Sequence, residues 1–379
     1  MMNERGNATL SSFSKLYILL KDYPTFNLEN AVCNHGFFMM APNVWDPSTK
    51  TFTRPLRLAD SVNSVNVTIS QPHQCNFLLI KVHDMDCVPY LDKQAILAQV
   101  SRMMRLSTKD ENDVQEFHKI YPEAKKMGFG RIFRSPSLFE DAVKSILLCF
   151  CSWQNTLMMA KNLCDLQFDF TNGLILPAAG KDQNSCSSTQ GKGLKRKRYF
   201  PASSGKVVIQ SVRNFPSAKE LAALDVQILK DYCKMGFRAN HIHEFAKDVQ
   251  RGKYRLSNFE KCTSHKELHQ KILKIKGFGA FVSTNVLMCL GFYENLPIDT
   301  ETRRHLQEVH GRKDCTARKA KAITKDIYGR FAPFQCLAFW FELARYYESK
   351  LGKLSKIPSS RYAFVTGSQC GMRSSEENE

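Results

Sequence analysis

No stretch of the 379 residues approaches ~18 consecutive apolar positions, so the sequence offers no membrane-spanning helix. The opening Met1-Met2-Asn3-Glu4-Arg5 lacks the basic-then-apolar pattern of a secretion signal. Glycine (19) and proline (14) are too few for a collagen-like chain. Cys-x-x-Cys pairs are missing, and the 13 cysteines are odd in number and scattered, several inside apolar helical runs (Cys149, Cys289, Cys336). Free buried thiols are therefore expected rather than a disulfide framework, in a cytosolic or nuclear protein. Acidic residues are also short, with 36 Asp+Glu against 54 Lys+Arg and a formal charge of +18. That excess favours an acidic partner, nucleic acid foremost, over a basic surface kept for solubility. What remains is ordinary for a globular chain, 43% hydrophobic and 24% charged, which excludes wholesale disorder. The length allows roughly two or three domains.

The first part, about residues 1–125, reads as a strand-rich domain. Gly36-Phe37-Phe38-Met39-Met40 is a short apolar run closed by Pro42, and Trp45 to Lys50 is a turn. Thr51 to Arg54 resumes with β-prone residues. Val65, Val67 and Ile69 alternate with Asn66, Thr68 and Ser70, the period of a half-buried strand. Phe77 to Val82 reads as a core strand, and short connections suggest an antiparallel sheet. Leu91 to Leu106 carries helical spacing. From about residue 126 to 355 helices dominate. Ser137 with Glu140 opens one, whose apolar stripe is Leu138, Ala142, Val143, Ile146, Leu147 and Phe150. Others start near Phe215-Pro216-Ser217 and at Arg238. About residues 180–207 form a Ser/Gly/Gln/Lys-rich insertion, expected to be disordered. Its centre, Lys195-Arg196-Lys197-Arg198, is a nuclear-import candidate or a solvated loop. Residues 356–379 read as a loose tail. The expected class is α+β: an antiparallel sheet domain, then an all-helical domain.

The most informative stretch runs from Leu268 to Leu306. Leu268, Ile272 and Leu273 end one helix, Lys274-Ile275-Lys276-Gly277-Phe278-Gly279-Ala280 interrupts it, and Val282, Val286, Leu287 and Leu290 mark a second. Glycines allow close backbone approach, and the amides opening the second helix carry partial positive charge, which suits a phosphate oxygen. Lys274 and Lys276 add charge to the same loop. A plain αα-turn is the alternative. Twenty residues beyond Gly279 comes Leu296-Pro297-Ile298-Asp299, at the head of another helix. Asp299 is a good N-cap in its own right.

Gly277-Phe278-Gly279 followed by Pro297-Ile298-Asp299 resembles the helix–hairpin–helix-Gly/Pro-Asp superfamily of base-excision DNA glycosylases. The segments from Phe133 to Cys164, Phe215 to Leu221 and Gly236 to Ala239 are similar to their other helices, so the resemblance covers roughly residues 129–349 without the insertion. A strand-rich domain ahead of the helices is what the 8-oxoguanine and inducible 3-methyladenine enzymes have. The resemblance implies that Asp299 is ionised and stabilises oxocarbenium-like charge while the glycosidic bond of a flipped-out base breaks. Bifunctional relatives carry a Schiff-base lysine at the position held here by Phe281. The implied enzyme is thus monofunctional, hydrolysing the bond without nicking the strand, with alkylated purines as the expected lesion. An oxidised-base enzyme and a catalytically silent damage-binding module with the same scaffold are the alternatives. Cys315, Cys336 and Cys370, the cysteines after Asp299, do not match an iron–sulphur set, so no cluster is expected. The carbonyls of Leu273, Ile275 and Phe278 match those that bind a Na or K ion in relatives. Trp153, Gln154 and Asn155 fall where relatives fill the vacated base position, although Trp153 suits a core role as well. His265 and His269, four apart, make a metal pair or a solvated face, with no third ligand evident. Phe339, Trp340, Phe341, Tyr346 and Tyr347 share a helix that suits a core, in a region where relatives build part of the base pocket. The implied partner is double-stranded DNA with a damaged base, met by a monomer in the nucleus and not at a membrane.

Overall fold

A computed structural model describes residues 13–178 and 212–367. The predicted insertion with Lys195 to Arg198 lies outside the described residues. Five strands come first: β1 (Phe13–Leu19), β2 (Val44–Asp46), β3 (Thr51–Arg57), β4 (Ser64–Ser70) and β5 (Phe77–His83). A short helix, α1 (Leu28–Val32), separates the first two. The strands form one antiparallel sheet in the order β1-β5-β4-β3-β2. Its register pairs Phe52 with Ile69 and Val67 with Val82. Val65, Val67 and Ile69, then Leu78, Ile80 and Val82, are buried, as period-two alternation requires.

The edge strand β1 was not legible in the sequence, and one expectation is corrected. Gly36–Met39 is a 3-10 helix rather than strand, with the His35 side chain accepting from the Phe37 amide at its head. An unbroken apolar run has no period to separate the two outcomes.

Three helices complete the segment before residue 128: α2 (Tyr90–Met103), α3 (Thr108–Ile120) and α4 (Pro122–Met127). The helical part follows with α5 (Leu138–Leu147), α6 (Trp153–Thr171), α7 (Ala218–Ala223), α8 (Val226–Asp231), α9 (Arg238–Gln250) and α10 (Leu256–Glu260). It continues through α11 (His265–Leu273), α12 (Ala280–Cys289), α13 (Thr300–Glu308), α14 (Ala320–Tyr328) and α15 (Gln335–Leu351). Ser137 caps α5 by accepting from the Glu140 amide, and Ser217 with Glu220 closes a full capping box on α7.

The sheet and the helices share one hydrophobic core, joined for example by Phe52 of β3 against Phe133 at 5.3 Å between ring centroids. A buried ion pair crosses the same boundary. Arg54 of β3 donates to both carboxylate oxygens of Glu140 on α5, at 3.2 and 2.9 Å, and Lys144 adds a second partner at 2.7 Å. The loose tail expected over residues 356–379 is corrected as far as residue 367, and the remainder lies outside the described residues. Leu354–Lys356 and Ser359–Phe364 are 3-10 turns, and Leu354, Ile357 and Tyr362 are buried. Trp45 Nε1 donates to the Ser355 carbonyl at 2.8 Å, so an N-terminal strand anchors this C-terminal segment. No helix among the described residues is long and apolar enough to cross a membrane. Eleven cysteines are described, and all are free thiols.

Candidate active site

The hairpin forms where the sequence places it. α11 ends at Leu273, and the chain turns through Gly277 at φ +87°. A side chain there would also meet His241, whose ring atoms lie 2.6 Å from the position a Cβ would take. Glycine is thus required on two counts. Phe278 is buried and packs at a tilt against Phe245, with ring centroids 4.9 Å apart, while Lys274, Lys276, Gly279 and Ala280 are exposed. Gly279 caps α12 without a side chain, leaving the first amides of α12 free of helical partners at an exposed turn. At the other end of α12, Arg105 and Arg134 donate to the carbonyls of Met288 and Cys289, the charge a helix C-terminus favours. Of the three candidate cation-binding carbonyls, that of Ile275 accepts from the Phe278 amide and that of Phe278 from Ser283 Oγ.

A cavity of about 410 Å³ opens beside the hairpin. That volume is within the usual range for a small-molecule site. Asp299 and Phe281 both line it, together with His35, Phe37, Trp153, Gln154, Trp340 and Tyr347. Asp299 caps α13: its Oδ1 accepts from the Thr302 amide at 2.7 Å and the Thr302 hydroxyl at 2.9 Å. Oδ2 takes neither bond. The residue is exposed because it edges the open cavity, yet protein crowds its remaining sides. That shielding from water raises the carboxyl pKa, opposed by the Thr302 bonds and helped by the charge of Glu301. Helix capping and cavity lining are therefore functions of one carboxylate rather than alternatives.

The remaining walls come from distant segments. His35 packs edge-on against Trp340 at 4.5 Å. Burial, and then the charges of Arg105 and Lys144, lower its pKa to about 3, so the ring is neutral at ordinary pH. Tyr347 donates to Glu301 at 2.6 Å, and Glu301 pairs with Arg304. Ala363, Val365 and Thr366 close one side. No lysine or arginine lines the cavity among the described residues, and two carboxylates do.

The predicted wedge residues separate. Trp153 is committed to packing: its indole stands over Gly36, and its Nε1 donates to the Tyr362 carbonyl at 2.8 Å. Gln154 and Asn155 are exposed, and Gln154 lines the cavity. Phe150, expected on the buried stripe of α5, is instead 95% exposed at φ +49° in the turn between α5 and α6. Arg238 holds that turn by donating to the carbonyls of Cys149 and Phe150 while stacking on Phe237. Phe237 is half exposed and lies 6.4 Å from the Phe150 ring. The signal for this aromatic pair was present in the sequence as Phe-Cys-Ser after an apolar helix, but nothing local distinguishes a displayed ring from a buried one. His265 bonds to Asn295 at 3.0 Å and packs beside His269, with no third ligand among the described residues.

No family model matches the sequence, and no curated protein matches it. Solved structures do. The 3-methyladenine DNA glycosylase from Archaeoglobus fulgidus superposes with a TM-score of 0.54 at 18% identity, covering 86% of this chain and 97% of its own. MBOgg1 in complex with a low-affinity DNA ligand gives 0.54 at 18%, covering 87% and 97%. The apo 8-oxoguanine glycosylase/lyase of Clostridium acetobutylicum gives 0.53 at 13%, covering 87% and 98%. The chain has the fold of these glycosylases, an antiparallel sheet followed by a helical part with the hairpin. The expected α+β class and the resemblance in fold are both borne out.

Proposed function

We propose that the protein is a DNA N-glycosylase that turns a damaged base into the cavity beside Asp299 and hydrolyses its glycosidic bond without cutting the strand. One observation carries the reading: Asp299 and Phe281 line the same cavity, and no lysine does among the described residues. A fixed carboxylate in a water-poor site stabilises developing sugar cation far better than one in water. With no amine beside the sugar, water is the nucleophile. The hairpin amides with Lys274 and Lys276 would grip a backbone phosphate, helped by a Na or K ion on the carbonyls of Leu273, Ile275 and Phe278. Phe150 and Phe237 would fill the gap left by the base, as apolar wedges do in other kinked duplexes. The partner is damaged duplex DNA, bound by a monomer in the nucleus.

The cavity also favours a substrate class. Aromatic faces, the Asp299 carboxylate, a neutral His35 and, among the described residues, no lysine or arginine suit an electron-poor, positively charged base, which points to alkylated purines. A neutral oxidised base would gain less from the same walls. The test is single-turnover base release from duplexes bearing alkylated or oxidised purines, read by mass spectrometry. Release from alkylated DNA, slowed at least about 100-fold in Asp299→Asn with the fold intact, is expected. Borohydride should trap no covalent adduct. Tight damaged-DNA binding with no release from any lesion would make the protein a binding module instead.

A further inference from the structure

A second polar cluster sits outside the cavity, behind the helix that Asp299 caps. His305 lies on the inner face of α13 with no exposed surface. His310 follows in the turn after that helix, and Glu342 reaches in from α15. One ligating atom of each lies within 4.8 Å of the others. Glu342 Oε2 is 2.9 Å from His310 Nε2 and 3.6 Å from His305 Nε2. Tyr328 donates its hydroxyl to the same carboxylate oxygen at 2.6 Å.

His305 is the anomaly in this cluster. Neither of its ring nitrogens has a hydrogen-bond partner, although the residue is fully buried. The 3.6 Å approach of Glu342 is beyond hydrogen-bond reach. Buried polar atoms without partners are rare and call for a cause, an ion being one. The donor set supplies the rest. Two imidazoles and one carboxylate are a zinc-class ligand set, with a fourth position left for water. Bonds of about 2.0–2.2 Å in tetrahedral array put ligand atoms about 3.3–3.6 Å apart, so small side-chain shifts close the site. Tyr328 acts as the outer partner that orients a ligating carboxylate, and the Phe339 ring at 5.6 Å gives His305 an apolar surround.

We propose that His305 Nε2, His310 Nε2 and Glu342 Oε2 bind a zinc-class divalent transition-metal ion that ties α13 to α15. The site is independent of the glycosylase reading, since none of the three residues lines the cavity. The intact protein, stripped with chelator, is titrated with Co2+ and then Zn2+. One equivalent of Co2+ with four-coordinate visible absorption, no thiolate charge-transfer band and displacement by Zn2+ is expected. Zn2+ at roughly a hundredfold excess over Kd should raise Tm by about 5 °C. His310→Ala removes the partly exposed ligand and should weaken binding more than about 100-fold and abolish the Tm response. Equal uptake and an equal Tm response in wild type and His310→Ala would move the metal elsewhere and overturn the site, as would no uptake at all. X-ray absorption of the zinc-loaded wild type needs no variant. Nitrogen and oxygen neighbours with imidazole scattering are expected, and a sulfur shell would overturn the assignment.

Discussion

At the scale of single residues, one carboxylate caps a helix and lines the cavity, and the proposed chemistry rests on it. Asp299 Oδ1 is spent on capping α13, and the surroundings raise the carboxyl pKa. Catalysis needs the ionised form, so the rate should climb as pH rises through that raised value and level off above it. Single-turnover release measured between about pH 4 and 8 should show this acid limb above the ordinary aspartate value of about 3.9. A rate flat across that range would remove Asp299 from the ionised role. His35 adds no second limb there, because its pKa of about 3 keeps it neutral throughout. Phe150 is the other residue whose position argues for use. An aromatic ring at 95% exposure and positive φ contributes little to the core. Phe150→Ala should leave Tm unchanged and slow base release about tenfold or more, because the emptied stack is no longer filled. A fluorescent base analogue beside the lesion would report the lost eversion directly.

At the scale of elements, the hairpin joins local rules to a distant contact. Its turn was legible because Gly277 and Gly279 interrupt an apolar helical period, and α11, α12 and α13 follow that reading closely. The demand of His241 on Gly277 was not legible, since α9 lies more than twenty residues away in sequence. The same limit explains Trp153 and Phe150. Both lie near the start of α6, and only the packing of Gly36 and the grip of Arg238 decide which ring is hidden and which displayed. If Lys274 and Lys276 meet phosphate, each alanine substitution should weaken duplex binding irrespective of the base offered. Each should also lower the slope of log affinity against log salt by about one. Unchanged slopes would send the phosphate to another surface.

At the scale of the whole molecule, the sheet and the helices are held as one unit, and Arg54 shows how. It is fully buried, and besides Glu140 it donates to Asn43 Oδ1 at 2.9 Å. Arg54→Met leaves the Glu140 charge short of a partner in the interior and should cost about 3–5 kcal/mol in urea unfolding. Glu140 is itself depressed to about 2 from 4.5: burial opposes this, and the charges of Arg54 and Lys144 overcome it. Its folded-state preference for the ionised form stabilises the protein above about pH 4.5 and is lost as pH falls from there toward 2. The cavity belongs to this scale too. Its walls come from residues near 35, 153, 281, 299, 340 and 363, and no local pattern announces such a meeting, so the sequence disclosed Asp299 but not its enclosure. The stretch from Leu354 to Thr366 leans on Trp45 and Trp153, both made long before it. A copy translated only as far as residue 351 therefore holds hairpin and carboxylate while one side of its chamber stands open. The cavity gains its last wall only once residues 354–366 have been synthesised.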